Sequence, residues 1–361
     1  MNRGGASDKR GVTLRDVAKA ANVSITTASR ALAGYPDVSP RTRARVRQIA
    51  QQLGYTPDFI AQNLVRREPT LVGVYIDDQG IPLAEQPFFL PVLCGVRDQA
   101  AELGQHVLLL ARRPGSPSAP ERIEAVIKGT RIAGLIVMGL TDDHPYLDEL
   151  ERLGVPTVTI DITPRGRRMV MVTSDNTAQA AAVTSHLIEQ GCRRILFVGG
   201  QPNTAVHRAR EQGYRDALRR HGMPAAAARV VYGHFSREQA YAAVRAAWRE
   251  APFDAVFAAS DLMAAGALRA LADLGLSVPH DVAVAGFDDL PLAQHVTPPL
   301  TTVRQDPVAM GRAAALALKR LASQEPAGLQ DREPGDPASH PKVVEVRGQL
   351  VVRASSLRAR R

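Results

Sequence analysis

From residue 70 onward, short apolar segments alternate regularly with longer amphipathic ones. Seven apolar segments have the length and composition of buried strands: LVGVYID, HVLLLA, GLIVM, PTVTID, RILFVGG, AVFAAS and VAVAGF. The segments with helical periodicity lie near 91–103, 120–129, 145–153, 176–190, 208–221, 236–250 and 261–274. Strands that alternate with helices form parallel sheets covered by helices on both faces. The region is too long for one such unit, so the pattern predicts an α/β fold of two lobes.

Polar residues stand where several of these predicted strands end. In open parallel sheets, ligands bind beyond the carboxyl ends of the strands. The strand-end residues are Asp77, Asp78, Asp161, Ser174, Asp175, Asn176, Ser260, Asp261, Asp288 and Asp289. The sequence therefore predicts that any ligand site of this region lies at these strand ends.

The stretch before this region has a different pattern, which predicts two short helices joined by a tight turn. Thr13 and Asp16 have the spacing of a capping box, which favours a helix from about Leu14 to Ala20. Ser24 is a good cap for a second helix that continues to about Ala33. Small apolar residues on the inner faces let the two helices cross closely. The exposed face of the second helix could then enter a DNA major groove, as in a helix-turn-helix.

A third helix completes this N-terminal domain. Ser39 and Pro40 have the residue types of a cap and a first helical position, and Gly54 ends the helix. We therefore expect a flexible lead over residues 1–12 and a three-helix domain over residues 13–57.

The net charge of +9 is concentrated in the N-terminal part of the chain. Residues 1–67 contain 12 Lys and Arg against 4 Asp, a net charge of +8, and all other residues together carry +1. A bias towards Arg could raise the number of basic residues everywhere, but it does not explain this asymmetry. The charge indicates a surface that neutralises nucleic-acid phosphates.

Several other classes of protein are disfavoured. Cys94 and Cys192 form neither a metal-binding spacing nor a disulfide framework, which suits a reducing cytoplasm. No secretion signal or apolar run of membrane-spanning length is evident. The sequence has no Gly-x-Ser-x-Gly motif, Walker-type loop or His-based metal spacing, and the Gly199–Gly200 pair lacks the Gly-x-Gly-x-x-Gly pattern. We expect no enzymatic activity, no metal and no cofactor.

The chain closely resembles the lactose-repressor and galactose-repressor family of bacterial transcription regulators. The most specific segments are TLRDVAKAANVSITTASRAL and DVSPRTRARVRQIAQQLGYTPDFIAQNL. Further segments follow in the family's order: VTSDNTAQAAAVTSHLIEQGCRRILFVGG, RAREQGYRDAL, DAVFAASDLMAAGALRAL, VAVAGFDDLPLAQHVTPPLTTVRQD and GQLVVRASS. The resemblance covers residues 13 to about 322 and 348 to 356.

In this family the second helix reads the major groove, and the resemblance implies that Ile25 and Thr26 are the base-reading pair. Arg30, one turn on, can donate two hydrogen bonds to guanine O6 and N7, which discriminates by about 1 to 3 kcal/mol. By itself, Arg30 could also be a solvated charge at a helix end. Nearby hydroxyl groups suit phosphate contacts, which orient the domain without specifying sequence. They belong to Thr13, Ser24, Thr27 and Ser29.

Residues 58–69 follow Pro57 and contain FIAQNLVRR. The segment is too short to persist as a helix in water, so its residues alone are compatible with either a helix or a plain linker. The resemblance implies a hinge helix that folds on operator DNA, with Leu64 inserted into the minor groove and Ala61 against the partner helix. An apolar wedge of this kind unstacks a base step and bends the DNA.

The remaining residues, 70–361, resemble a periplasmic sugar-binding fold, with an effector in a cleft between two lobes joined by three crossing strands. The resemblance places the first lobe at about 70–173 and 302–340, and the second at about 174–301 and 341–356. The matching ligand-contacting residues are Asp161, Arg210, Ser260 and Asp288. Arg210 and the two Asp residues would make charge-assisted hydrogen bonds to hydroxyl groups of a sugar or ribose.

The aromatic wall of this cleft is less well determined by the sequence. Phe88 and Phe235 are candidates, with core packing an equally good interpretation. Ser260 stands where many relatives have Asn, and Gln239 replaces a frequent Gly, so the class of effector follows less directly than the fold.

The resemblance implies a homodimeric, cytoplasmic repressor that binds pseudo-palindromic operator DNA under the control of a sugar-like effector. A nucleoside, purine or other non-sugar effector is the alternative within the same fold. A solute-binding receptor without gene control would have no use for residues 1–67.

Overall fold

The structure, a computed structural model, describes residues 12–55, 70–77, 86–110, 124, 127, 129–224, 227–323 and 342–358. Apart from Val12, the predicted flexible lead and the predicted hinge segment at residues 58–69 lie outside the described residues. The described chain divides into two compact units. Residues 1–70 with 126–131 form the smaller unit, and 71–125 with 132–361 form the larger one.

The smaller unit contains the three predicted helices, α1 (Leu14–Ala20), α2 (Ile25–Ala33) and α3 (Pro40–Leu53). The predicted caps are present: the Thr13 backbone N–H donates to Asp16 Oδ2 at 2.9 Å, and the Thr27 N–H donates to Ser24 Oγ at 3.0 Å. Gly54 ends α3 in the left-handed conformation. These contacts satisfy donors and acceptors that a helix end leaves unpaired.

Small side chains form the core of this unit. The buried residues are Val17, Ala18, Ala21, Ala28, Ala31, Val38, Val46 and Ala50. These side chains are short, so they can touch one another only where the helices lie close together. The predicted close crossing of α1 and α2 therefore buries them.

The larger unit contains parallel sheets and helices, as predicted. Its strands are β1 (Leu71–Ile76), β2 (His106–Leu110), β3 (Ile132–Met138), β4 (Thr157–Ile160), β5 (Met169–Ser174), β6 (Ile195–Gly199), β7 (Arg229–Tyr232), β8 (Ala255–Ala258), β9 (Ala283–Ala285), β10 (Thr302–Arg304), β11 (Lys342–Val346) and β12 (Gln349–Val351). Its helices are α4 (Phe89–Glu102), α5 (Pro145–Arg152), α6 (Asn176–Glu189), α7 (Ala205–Arg220), α8 (Arg237–Glu250), α9 (Asp261–Asp273), α10 (Leu292–His295) and α11 (Pro307–Ala322).

Two parallel sheets define the two lobes. The first sheet has six strands in the order β11-β5-β4-β3-β1-β2, and the second has four in the order β7-β6-β8-β9. β10 and β12 pair antiparallel, and bridges from Thr301 and Arg304 place β10 beside the end of β9. The chain passes between the lobes three times, after β5, after β10 and after β11.

One part of the predicted lobe division is wrong. The resemblance places residues 341–356 in the second lobe, but β11 pairs in parallel with β5 in the six-stranded sheet of the first lobe. Residues 302–304, assigned to the first lobe, form β10 beside the second. Strand pairing decides the lobe of both segments. The chain leaves the second lobe after β10 and returns to it between β11 and β12.

Helix α11 packs closely against α4 on the first lobe. A Cβ atom at Gly311 would lie 2.0 Å from the Val92 carbonyl oxygen, and one at Gly95 would lie 2.1 Å from that of Val308. Glycine at both positions therefore allows the two backbones to touch. The strand-helix pattern of the sequence does not predict α11, β5 or β7, although all three contribute to the lobes.

Candidate functional site

The predicted reading residues of α2 lie on the surface of the smaller unit. Ile25 is 45% exposed although it is apolar, and Thr26 and Arg30 are exposed as well. Thr27 and Ser29 are half-buried, and Ser24 and Thr27 bond to each other at the start of the helix. An exposed Ile on an otherwise polar helix face is available for an apolar contact such as a thymine methyl group.

Arg30 forms an ion pair within its own unit. Its Nη2 lies 2.7 Å from Asp37 Oδ2, and its guanidinium carbon lies 4.9 Å from the centre of the Tyr35 ring. Arg30 is therefore a partly exposed helix-end charge with an ion-pair partner in its own unit. Ala61 and Leu64 lie outside the described residues.

The larger unit contains a cavity of about 150 Å³ between the two lobes. All six side chains predicted to contact an effector line it: Phe88, Asp161, Arg210, Phe235, Ser260 and Asp288. They come from six separate parts of the chain and from both lobes. An apolar engineered cavity of similar size admits benzene, so the volume accommodates at least one six-membered ring.

Strand ends place the polar residues of this cavity. Asp161 follows β4, Ser260 follows β8 and caps α9, and Asp288 follows β9. Asp161 and Asp288 have backbone φ angles of +58° and +118°, which residues other than glycine rarely adopt. Each such residue costs of order 1 to 3 kcal/mol, and residues of this kind cluster at functional sites.

Arg210 is the central cation of the cavity. Its side chain is 3% exposed, and its guanidinium lies 3.7 Å above the Phe287 ring. The Nε atom donates to Asn176 Oδ1 at 2.8 Å, and Nη1 donates to the Ala259 carbonyl and lies 3.8 Å from Asp288 Oδ1. Burial lowers the pKa of Arg210, opposed by Asp288. These contacts fix the guanidinium in one orientation at the cavity wall.

A chain of hydrogen bonds connects Arg210 to Asp161. Asn176 accepts from Arg210 and donates through Nδ2 to Thr173 Oγ1 at 3.0 Å, and Thr173 in turn donates to Asp161 Oδ1 at 2.5 Å. Burial raises the pKa of Asp161, and the bond from Thr173 opposes this shift. The cation and the carboxylate are thus positioned by the same polar network.

Asp288 is the carboxylate nearest to Arg210. Gln305 donates to its Oδ1 at 2.7 Å from the segment that follows β10. Burial raises the pKa of Asp288 to about 6, although Arg210 favours its ionised form. A second buried acid, Asp261, has a raised pKa through burial and through repulsion by Asp288. Two carboxyl groups, those of Asp161 and Asp288, line the cavity together with Arg210.

Phe235 packs on a glycine at the edge of the cavity. A Cβ atom at Gly200 would lie 2.1 Å from Phe235 Cζ, and one at Gly199 would lie 2.5 Å from His207 Cε1. Phe235 and its neighbour His234 have φ angles of +57° and +49°. The Gly199–Gly200 pair therefore makes room for two aromatic side chains. Phe235 lines the cavity and also packs against the core of the second lobe.

Two polar residues that the sequence did not single out as ligand contacts belong to the same arrangement. Asn176 stands at the start of α6, among the strand-end residues, and is buried. Gln305 follows β10 within the family-like segment VRQD, and it lines the cavity. Their positions beside Arg210 and Asp288 depend on the crossings between the lobes, which single-residue patterns do not reveal.

Among the described residues, no group of three or more His, Cys, Asp or Glu side chains could hold a metal ion. No helix in the described part of the chain is long and apolar enough to cross a membrane.

A helix-turn-helix unit and a two-lobed α/β unit with a polar cleft together define a class of DNA-binding regulators. Known protein families lead to the same class. The family model "Bacterial regulatory proteins, lacI family" matches residues 13–58, and the model "Periplasmic binding protein-like domain" matches residues 184–356. The transcriptional regulator CelR of Thermobifida fusca is 37% identical over 86% of this chain and 92% of its own length.

Solved structures show the same likeness. A CelR–cellobiose complex matches with a TM-score of 0.69 and 34% identity over 95% of this chain and 99% of that one. A lac repressor dimer bound to operator and the anti-inducer ONPF matches with a TM-score of 0.79 and 25% identity over 97% and 100%. The chain belongs to the lacI family of bacterial regulatory proteins. It is a DNA-binding transcriptional regulator and not an enzyme.

Proposed function

We propose that this regulator binds a pseudo-palindromic operator as a homodimeric repressor, under the control of a small sugar-like effector in the interlobe cleft. The observation that carries the effector proposal is the convergence of Asp161, Arg210 and Asp288 on one cavity with Phe88 and Phe235. A lac repressor with similar structure has been solved as a dimer on operator DNA, which supports the dimer and the operator.

The cleft has the chemistry needed to bind several hydroxyl groups. Carboxylates accept hydrogen bonds from hydroxyl groups, and the guanidinium donates to them, and such charge-assisted bonds are stronger than neutral ones. The ring faces of Phe88 and Phe235 offer apolar surface to the C–H groups of a sugar. The CelR structure contains cellobiose, so a sugar of that kind is the first candidate for this chain.

A nucleoside is the second candidate. Its ribose hydroxyls could use the same carboxylates and arginine, and its base could stack on Phe88 or Phe235, which both line the cavity. A sugar and a nucleoside therefore differ in how much of their affinity depends on the aromatic residues.

Ligand binding to the full chain tests the effector proposal. Cellobiose, other sugars, polyols and nucleosides are screened by thermal shift, since a ligand at 100 times its Kd stabilises the folded state by about 2.7 kcal/mol. Arg210→Ala should remove the stabilisation and the effector response. Arg219→Ala, an exposed residue of the same helix, is the matched control. An Arg210→Ala variant that still responds would show that the pocket is misassigned.

The DNA side of the proposal rests on α2. Ile25, Thr26 and Arg30 would read bases, while Thr13, Ser24, Thr27 and Ser29 would orient the domain on phosphates. The exposure of Ile25, Thr26 and Arg30 and the family to which the chain belongs support this assignment. Arg30→Ala should abolish sequence selection from a pool of random duplexes, while effector binding to the larger unit is retained. Unchanged selection would refute the assignment.

A twofold dimer would present two copies of α2 to two half-sites about one helical turn apart. Binding to chromosomal DNA requires a cytoplasmic location, which we therefore propose as well.

A further inference from the structure

Asp37 contacts one particular edge of the Arg30 guanidinium. Arg30 Nε donates to Asp37 Oδ1 at 3.3 Å, and Nη2 lies 2.7 Å from Oδ2. The carboxylate therefore accepts from the N–H of Nε and from one of the two N–H groups of Nη2. The Tyr35 ring lies against the guanidinium, 4.9 Å from its central carbon. The arginine is held both by its edge and by an aromatic ring.

The loop that carries Asp37 is itself fixed to the helices. The Tyr35 backbone N–H donates to the Arg30 carbonyl at 3.0 Å. From α3, Arg43 Nη2 donates to the carbonyl oxygens of Tyr35 at 2.7 Å and of Val38 at 3.2 Å, and the Val38 side chain is buried. The carboxylate therefore has a defined position relative to α2.

We propose that Asp37 is a specificity-determining residue that presents Arg30 to guanine. A guanidinium has five N–H groups in a planar fork. With the Nε–Nη2 edge bound to Asp37, the end edge formed by Nη1 and the second N–H of Nη2 points away from the carboxylate. That edge has the two parallel donors that match guanine O6 and N7. This inference rests on the proposed base-reading role of Arg30.

Two physical consequences follow. A free arginine side chain loses rotamer freedom when it binds a base, and an arginine already held by Asp37 has lost much of that freedom before it meets the DNA. The Asp37 charge also repels phosphates, which disfavours binding wherever the end edge finds no guanine. Asp37 should therefore strengthen discrimination between sites more than it strengthens binding itself.

The test uses the full-length chain and two duplexes of about 20 base pairs, enough for two half-sites. One is the duplex that the parent chain selects from a random pool, and the other is a scrambled duplex of the same composition. The ratio of their Kd values is measured at one fixed salt concentration, because phosphate contacts depend on salt. Asp37→Asn, Asp37→Glu and Arg30→Ala are compared alone, and Asp37→Asn is also combined with Arg30→Ala.

We expect Asp37→Asn to lower the ratio about fivefold to tenfold and to bind the scrambled duplex more tightly. Asp37→Glu keeps the charge but moves the carboxylate, so it should lower the ratio and leave scrambled binding unchanged. In the Arg30→Ala background, Asp37→Asn should change both affinities equally. The circular dichroism of the variants should match the parent, since Asp37 is 53% exposed.

Three outcomes distinguish a failure of the role proposed for Asp37 from a failure of the base-reading role proposed for Arg30. An unchanged ratio in both Asp37 variants, with selection lost in Arg30→Ala, would overturn the role of Asp37 and leave the proposed function intact. An equal fall of the ratio with and without Arg30 would show that Asp37 acts through another contact, and would also overturn it. Selection that survives in Arg30→Ala would refute the base-reading assignment on which both proposals depend.

Discussion

Arg208 of α7 and Asp142, in the loop after β3, form an ion pair that joins the two lobes beside the cleft. Asp142 is held within its own lobe by Thr163, whose backbone N–H donates to Asp142 Oδ1 at 2.8 Å. The neighbouring Asn203 strengthens the link: its carbonyl accepts from the Asp142 N–H and its amide donates to Asp143, both at 2.9 Å. These residues adjoin Leu140 and Gln201 of the cavity lining.

Removal of the ion pair should weaken effector binding by favouring separation of the lobes. Arg208 is 52% exposed, so we expect a loss of about 1 kcal/mol or less, and an effector Kd raised about twofold to fivefold. Calorimetric titration of Arg208→Ala measures it. Arg215→Ala, which removes an exposed pair with Glu211 on the same helix, is the control. Equal affinities in the two variants would count against an interlobe role.

The raised pKa of Asp288 should make stability fall with pH. An exposed Asp has a pKa of 3.8, and burial raises that of Asp288 to about 6 against the opposing effect of Arg210. Between these values the folded protein holds a proton that the unfolded chain has released. The stabilisation is therefore complete below about pH 4 and lost by about pH 6, a difference of about 3 kcal/mol. Urea unfolding across this window should show a slope that Asp288→Asn reduces.

The same titration should affect the ligand. An ionised carboxylate accepts stronger hydrogen bonds from hydroxyl groups than a protonated one does. The affinity for a neutral effector should therefore rise from pH 5 to about pH 7 in the parent and stay flat in Asp288→Asn. Calorimetry in buffers of different ionisation enthalpy would detect the proton released on binding. A parent affinity independent of pH would contradict this role of the carboxylate.

Gly200→Ala should displace the Phe235 ring and weaken effector binding about tenfold, because the new Cβ atom would lie within about 2.1 Å of the ring. In the Phe235→Ala background the same substitution should have little effect. Gly166→Ala is the control, because the Cβ atom there would meet only the flexible side chain of Glu151, at 3.0 Å or more. An equal effect of Gly200→Ala with and without Phe235 would show that the glycine serves another contact.

Leu64→Ala should reduce DNA bending and sequence discrimination more than non-specific affinity, since an apolar wedge between bases acts only where the duplex is kinked. Fluorescence resonance energy transfer between the ends of a bound duplex measures the bend. Equal losses of specific and non-specific binding would indicate that residues 58–69 serve only as a tether.

The sequence alone predicted the helix-turn-helix in detail. The caps at Thr13, Ser24 and Ser39 and the small inner faces of α1 and α2 are local features. The structure confirms the predicted bounds of the three helices within a residue. Local signals succeed here because hydrogen bonds of the helix ends and side-chain periodicity act over only a few residues. The strand ends that hold Asp161, Ser260 and Asp288 were likewise visible as polar residues after apolar segments.

Other features depended on contacts between distant segments. The close contact of helix α11 with α4 depends on Gly311 and on Gly95, which is more than 200 residues earlier in the chain. β11 could not be placed from its residues, because an apolar strand pairs equally well in either sheet until the chain crossings are known.

What the sequence by itself determined is the class of the protein, the reading helix and the types of side chain at the cleft. Only the tertiary structure decided how these side chains are held. Hydrogen bonds through Asn176 and Thr173 connect Arg210 to Asp161. Phe235 packs on Gly200, and Arg30 forms an ion pair with Asp37. The physical reason is that a residue's chemistry is carried by its own side chain, whereas its orientation and its pKa are set by neighbours that the fold brings together.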